Sequence, residues 1–325
     1  MKILLHDCSG HAFQAELARQ LARDGHAVTF AYFAQEPGPK GLLERRSDDP
    51  PLLTFLPLDI GRRYSKANLL ARWFGDVMYG RAAAAAIRRL HPDVIVSSTT
   101  PVDSQESMLK MARRLGIPFV YSCQDLFSVA VEDILRRRFG WAARLAGSWY
   151  GFLERRQMHR SSHVLVITEA FFEFTDRWLV PRSKVTVLPN WGAINEIPVM
   201  ERDTSWAAEQ GLGPGTRFVY TGTLARKHNP TLLVELAHSV EPDDEVIVVA
   251  SGVGAEWLKQ NHGSQDALRV LPIQPFSRYP EVLGAADVLL AVIERDAARF
   301  SVPSKVLSYL CAGRLFNDTA TTENL

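Results

Sequence analysis

The sequence predicts an α/β protein built from two doubly wound domains. Short apolar runs alternate with helix-period segments along nearly the whole chain, and that alternation breaks off once, over residues 191–215. The length, 325 residues, suits two domains of roughly 150–180 residues better than one ordinary core.

The first apolar run is residues 2–6, followed by a loop containing Ser9, Gly10 and His11 and a helix over about 14–23 that closes at Asp24-Gly25. The β-rich run 27–33 completes a βαβ unit, which builds parallel sheets. The pattern continues with a strand at 52–60 and a helix at 67–90, whose alanines 82–86 suit close packing. A strand at 94–96, a helix at 108–115 closed by Gly116, and strands at 119–122, 164–167 and 185–188 follow. This predicts a doubly wound domain over 1–190.

Residues 191–215 carry Pro198, Gly211, Gly213, Pro214 and Gly215 with little periodicity and read as a linker. Beyond it, strands are expected at 218–222, 245–251, 268–272 and 288–293, with helices between, forming a second domain over 216–325. Ligands of paired domains of this kind usually sit in the cleft between them.

Composition narrows the function. Lys plus Arg, 37, nearly cancels Asp plus Glu, 36, so no basic footprint points to nucleic acid. The three cysteines, Cys8, Cys123 and Cys311, are too few and too scattered for a disulfide framework or a zinc site. The apolar run after Met1 is too short for a signal-peptide core or a spanning helix. A cytoplasmic protein is expected, with peripheral contact to a membrane still open.

Gly10 lies after the first strand, where backbone amides and a helix start can receive an anion, but a turn glycine reads the same way. The three-glycine dinucleotide fingerprint is absent, since Cys8 and Phe13 occupy two of its places. The strongest local signal is Thr221-Gly222-Thr223-Leu224-Ala225-Arg226-Lys227, with Asn229-Pro230 opening the next helix. A glycine, hydroxyls and two cations at a strand-to-helix turn can cradle a diphosphate, although a solvated basic turn has the same composition. Ser301-Val302-Pro303-Ser304-Lys305 forms a second such turn after the strand 288–293.

The stretches "ARQLARDGHAVTF", "SCQDLFS", "HVLVITEAF", "VTVLPNW", "FVYTGTLARKHN", "VLPIQPFSRYPEVLGAADVLLAVI" and "SVPSKVLSYLCAGR", in this order and spacing, resemble glycosyltransferase family 4. The resemblance is strongest to its bacterial exopolysaccharide and O-antigen branch, which includes colanic acid and N-acetylfucosamine transferases. It implies two facing Rossmann-like domains (the GT-B arrangement), an acceptor-side domain first and a nucleotide-sugar-binding domain second. It also implies retaining transfer of a hexosyl or N-acetylhexosaminyl group, in surface polysaccharide biosynthesis, to a lipid-linked or oligosaccharide acceptor. Carried over by position, Thr223 and Lys227 fall where the family holds the donor diphosphate, beside Gly222 and Arg226, and Ser304 and Lys305 fall in its second phosphate-binding turn. Ile273, Gln274 and Pro275 match a segment bordering the nucleotide base. Gln124 and Asp125 match donor or acceptor contacts, and Gly10 and His11 match the loop that approaches the reacting sugar. Lys227, Lys305 and Asp125 are the expected catalytic residues. No metal and no cofactor beyond the nucleotide-sugar co-substrate is expected.

The family's paired glutamates fall at Phe300 and Ser308, so neither carboxylate is present. Glu294 is out of register for that role, and Asp287 is expected to orient its helix-to-strand turn. A nucleotide-sugar epimerase of the same fold, or a non-catalytic donor-binding remnant, is the alternative function. Residues 134–160 combine Arg136, Arg137, Arg138, Arg144, Arg155 and Arg156 with Phe139, Trp141, Trp149 and Phe152. That mixture suits an anionic membrane surface, and it also suits a helix packed on its own domain. After Gly313-Arg314 the family pattern calls for a further strand and helices, whereas residues 315–325 are poor in apolar side chains. A second domain truncated at its C-terminus is therefore expected.

Overall fold

The computed structural model describes residues 1–36, 40–62, 64, 69–128, 141–224, 229–262, 267–292 and 304–318, apart from the side chains of 69, 141–144, 304 and 316–318. The chain divides into two compact units, one comprising Met1–Pro37 with Leu43–Pro189, the other Gly38–Leu42 with Asn190–Leu325.

The first unit holds a seven-stranded sheet. Its strands are β1 (Lys2–Asp7), β2 (Ala27–Phe33), β3 (Leu53–Leu58), β4 (Val94–Ser98), β5 (Phe119–Cys123), β6 (His163–Val166) and β7 (Val185–Val187). The order is β3-β2-β1-β4-β5-β6-β7, and every neighbouring pair is parallel. Both faces are covered, which is why the strands read as continuous apolar runs rather than alternating ones. On one face Ala15, Ala18 and Ala22 of α1 (Ala12–Arg23) pack on Ile3, Leu5 and Phe30. On the other, Tyr79, Ala83 and Ile87 of α2 (Leu69–Leu90) pack with Met108 and Leu109 of α3 (Val102–Arg114) and with Met158 of α4 (Trp141–Arg160). A short helix, α5 (Phe172–Arg177), precedes β7.

Helix α3 begins at Val102, well before the expected residue 108. Its polar first turns looked non-helical because they lack an apolar stripe, yet Ser104 is buried against α2 and Gln105 against α4, where its Nε2 donates to Gln157 Oε1 at 3.1 Å. A Cβ added at Gly80 of α2 would lie 2.6 Å from the Cα of Ser104, and Ser104 Oγ donates to the Asp76 carbonyl at 2.6 Å. Close helix approach decides this turn, not propensity.

The second unit holds a five-stranded sheet: β8 (Arg217–Thr223), β9 (Glu245–Ser251), β10 (Leu268–Leu271), β11 (Val288–Ala291) and β12 (Leu315–Asp318). The order is β10-β9-β8-β11-β12, again all parallel. Its helices are α6 (Ser205–Glu209), α7 (Thr231–Ser239), α8 (Val253–His262), α9 (Tyr279–Gly284) and α10 (Ser304–Cys311).

Residues 191–215, expected as a linker, are part of this second unit. Thr204 caps α6 by accepting from Ala207 N at 3.1 Å, and the Glu281 carboxylate accepts from Trp206 N at 2.9 Å. Trp206 is only 1% exposed. Arg202 reaches Asp287 Oδ1 at 2.9 Å, while Asp287 Oδ2 accepts from Arg217 N at 2.9 Å, so Asp287 has the orienting role expected of it. Residues 315–318, expected to lack a strand, form β12 in parallel register with β11. An edge strand is held by its backbone ladder, so low apolar content did not preclude it.

Candidate functional site

In an open parallel sheet the crevice lies outside the carboxyl ends of the strands, where the strand order reverses. In the second unit that point is between β8 and β11. Their pairing covers only Val288↔Phe218 and Leu289↔Val219. Beyond it the fully buried Tyr309 of α10 bridges the two strands. Its hydroxyl accepts from Thr221 N at 3.2 Å and donates to the Leu290 carbonyl at 3.2 Å. Thr221 Oγ1 lies 3.1 Å from the same hydroxyl and 3.3 Å from that of Tyr279. Burial raises the Tyr309 pKa well above the usual phenol value, so the bridge is neutral.

Lys305, one helical turn before Tyr309, is thereby delivered to the end of β8. Its Nζ stands 3.8 Å from the ring centre of Tyr220 and would lie 4.0 Å from a Cβ added at Gly222. Gly222 has φ +105°, a conformation that L side chains rarely adopt, and it turns the chain out of the strand. Thr223 follows, with an exposed side chain. A cation, a left-handed glycine and a hydroxyl thus meet at the switch point, an arrangement suited to an anionic group. Close approach of the next loop shapes the turn as well: Leu224 N donates to the Ser251 carbonyl at 2.8 Å, and Gly254 N to the Leu224 carbonyl at 2.9 Å. A Cβ at Gly254 would sit 2.8 Å from that carbonyl oxygen.

Ser304 is the first residue of α10. Arg226 and Lys227 lie outside the described residues. Ile273 and Gln274 occupy the loop after β10, on the sheet edge beyond β9, both half-buried; Gln274 Nε2 donates to the Pro272 carbonyl at 2.8 Å.

In the first unit the order reverses between β1 and β4. Asp7, fully buried at the end of β1, accepts from the His11 backbone N–H at 2.6 Å, and its Oδ2 lies 2.9 Å from His11 Nδ1. Burial opposes ionisation of both groups, but their mutual attraction and hydrogen bonds prevail. The Asp7 pKa is lowered and that of His11 is raised, with Asp125 adding to the His11 shift. Asp125 is exposed in the loop after β5, so the sheet brings His11 and Asp125 to one edge. Gly10 has φ +69°, and a Cβ there would lie 2.7 Å from Leu43 Cδ1, which gives this glycine a structural reason of its own. Asp7 was missed in the sequence; an acid ending a strand four residues before a His at a helix start was the available signal. Behind this edge, burial lowers the His6 pKa to about 4, and its Nε2 lies 2.6 Å from the Tyr79 hydroxyl.

Of the basic–aromatic stretch 134–160, residues 134–140 lie outside the described residues. The remainder is α4, which divides its apolar side chains. Leu153 and Met158 are buried, and the Tyr150 hydroxyl donates to Asp103 at 3.0 Å. Leu145, Trp149 and Phe152 are exposed, at 63%, 57% and 52%. Arg156 pairs with Glu106 at 2.7 Å and sits 5.5 Å from the Phe152 ring centre. Among the described residues no helix is long and apolar enough to cross a membrane.

The glycosyl transferase 4-like domain matches residues 10–191, more than half of the chain and most of the first unit. The chain belongs to the glycosyltransferase 4-like family. No curated protein matches its sequence. Solved structures share the fold at low identity. Sucrose-phosphate synthase from Thermosynechococcus elongatus superimposes with a TM-score of 0.72 at 14% identity, over 100% of this chain and 82% of the other. Anabaena HepE in complex with UDP-glucose gives 0.65 at 17% identity, over 98% and 81%. UDP-GlcNAc 2-epimerase from Neisseria meningitidis, bound to UDP-GlcNAc, gives 0.56 at 12%, over 89% and 77%. These likenesses establish the GT-B type of fold, two Rossmann-like domains, for this glycosyltransferase 4-like chain.

Proposed function

We propose that this chain is a retaining glycosyltransferase. Its donor is a nucleoside-diphosphate sugar carrying a hexosyl or N-acetylhexosaminyl group, and its acceptor is a lipid-linked or oligosaccharide chain of a surface polysaccharide. The observation that carries the reading is the meeting of Gly222, Thr223 and Lys305 at the switch point of the second unit. Similar structures bound to UDP-glucose and UDP-GlcNAc support a nucleotide-sugar donor. Lys305 and the turn amides, joined by Arg226, Lys227 and Ser304, neutralise the diphosphate as it leaves. Ile273 and Gln274 border the base. Gly10, His11 and Asp125 serve the sugar and acceptor side. The acceptor hydroxyl oxygen bonds to the anomeric carbon on the face the diphosphate leaves; the diphosphate carries away the electron pair of the broken bond and takes up the hydroxyl proton. No further cofactor takes part. The protein works in the cytoplasm, on the inner face of the membrane, through the exposed face of α4.

Transfer of labelled sugar from a donor panel to a lipid extract tests this. Product with retained anomeric configuration is expected; binding of every donor without transfer would overturn it. The epimerase fold neighbours favour a second reading, which isomerisation of the donor without acceptor would reveal.

A further inference from the structure

We propose that Tyr220 is the positioning residue of the diphosphate cradle, acting through Lys305 and the Thr223 turn without touching the ligand. The proposal rests on the reading of Gly222, Thr223 and Lys305 as the diphosphate site. Tyr220 is fully buried, its ring part of the second unit's core with Leu224, Val248 and Leu290. Two of its contacts nevertheless lead to the cradle, one from the hydroxyl and one from the ring face.

The hydroxyl donates to the Thr223 carbonyl at 2.9 Å. On the same peptide unit, Leu224 N donates to the Ser251 carbonyl at 2.8 Å. The peptide joining Thr223 to Leu224 is therefore held at both ends, directly after the left-handed turn at Gly222. Its plane cannot swing without breaking one of these two hydrogen bonds, so the backbone at the exposed Thr223 keeps one orientation. The ring face carries the Lys305 ammonium 3.8 Å from its centre. A lysine side chain has extensive rotamer freedom, and an aromatic face favours a cation over its centre. Tyr220 thus holds the charge beside the Gly222 turn before any ligand arrives. Pre-positioning of this kind raises affinity by removing an ordering cost from binding.

The test replaces Tyr220 by phenylalanine and by a series of ring-fluorinated phenylalanines, which keep the ring's shape while draining its negative face. Each is made in the full chain with Lys305 and with Lys305→Ala. Uridine diphosphate, guanosine diphosphate and the free nucleosides are titrated calorimetrically. Progressive fluorination should weaken diphosphate affinity by roughly three- to tenfold in total, leave nucleoside affinity unchanged, and have no effect with Lys305→Ala. A purely structural role for the ring predicts a slope that persists without Lys305, and that result would overturn the proposal. A wild type that binds diphosphate with a flat fluorination series overturns the role of Tyr220 alone. A wild type that binds neither diphosphate removes the cradle, and this inference with it.

Discussion

Asp7 and His11 form a closed pair at the end of the first strand: Oδ2 of the buried carboxylate accepts the His11 backbone N–H at 2.6 Å and lies 2.9 Å from its ring Nδ1. The pair fixes the loop that contains Gly10 and holds Nδ1 protonated toward Asp7, leaving Nε2 as the ring nitrogen that changes state.

This pair makes stability depend on pH in a defined sense. The folded His11 pKa lies above its ordinary 6.5, so its contribution is complete below that value and is lost as pH rises through the folded pKa. The folded Asp7 pKa lies below its ordinary 3.8, so its contribution holds above that value and is lost as pH falls through the folded pKa. His6, lowered to about 4, works in the opposite sense to His11, losing stability as pH falls from 6.5. The difference between wild type and His11→Ala isolates His11. It should be larger at about pH 5.5 than at about pH 8.5 in urea unfolding; equal differences would contradict the pairing.

Lys305→Ala should weaken binding of the diphosphate nucleotide by roughly ten- to a hundredfold, the effect of one charge-assisted hydrogen bond. Lys227→Ala should do the same, and the double variant should lose less than the sum, since both cations act on one charge. Calorimetric titration measures all three, and unchanged affinity in the single variants would move the diphosphate elsewhere.

Tyr309→Phe should cost about 1–3 kcal/mol of stability, because Thr221 N and the Leu290 carbonyl lose their shared buried partner. Urea unfolding gives the number. A change near zero would mean that the splayed strands close without the phenol.

Trp149→Ala combined with Phe152→Ala should reduce co-sedimentation with phosphatidylglycerol-containing vesicles by roughly tenfold, with added salt weakening wild-type binding too. Both side chains are exposed, so folding should be unaffected. Equal wild-type binding to neutral phosphatidylcholine vesicles would remove the electrostatic part of the membrane proposal.

The strand succession was legible in the sequence because a parallel sheet covered on both faces needs whole apolar runs, as in Val246 to Ala250. Gly222 was legible as well, since a strand ending in a turn with a positive φ calls for glycine. Residues 191–215 misled because prolines and glycines suggest a linker, while Trp206, lone and without periodicity, fills the second unit's core.

By itself, then, the sequence determined the two doubly wound sheets, the glycosyltransferase 4-like family and the turn glycine at the end of β8. The partners inside the site came only with the tertiary structure. Thr221 and Tyr309 are 88 positions apart, and Tyr220 meets Lys305 because the chain leaves β8, builds β9 and β10, and returns as β11 on the other side. Local pattern records which segments are buried. Which buried segments become neighbours depends on strand order, a property of the whole sheet that no short window of sequence contains.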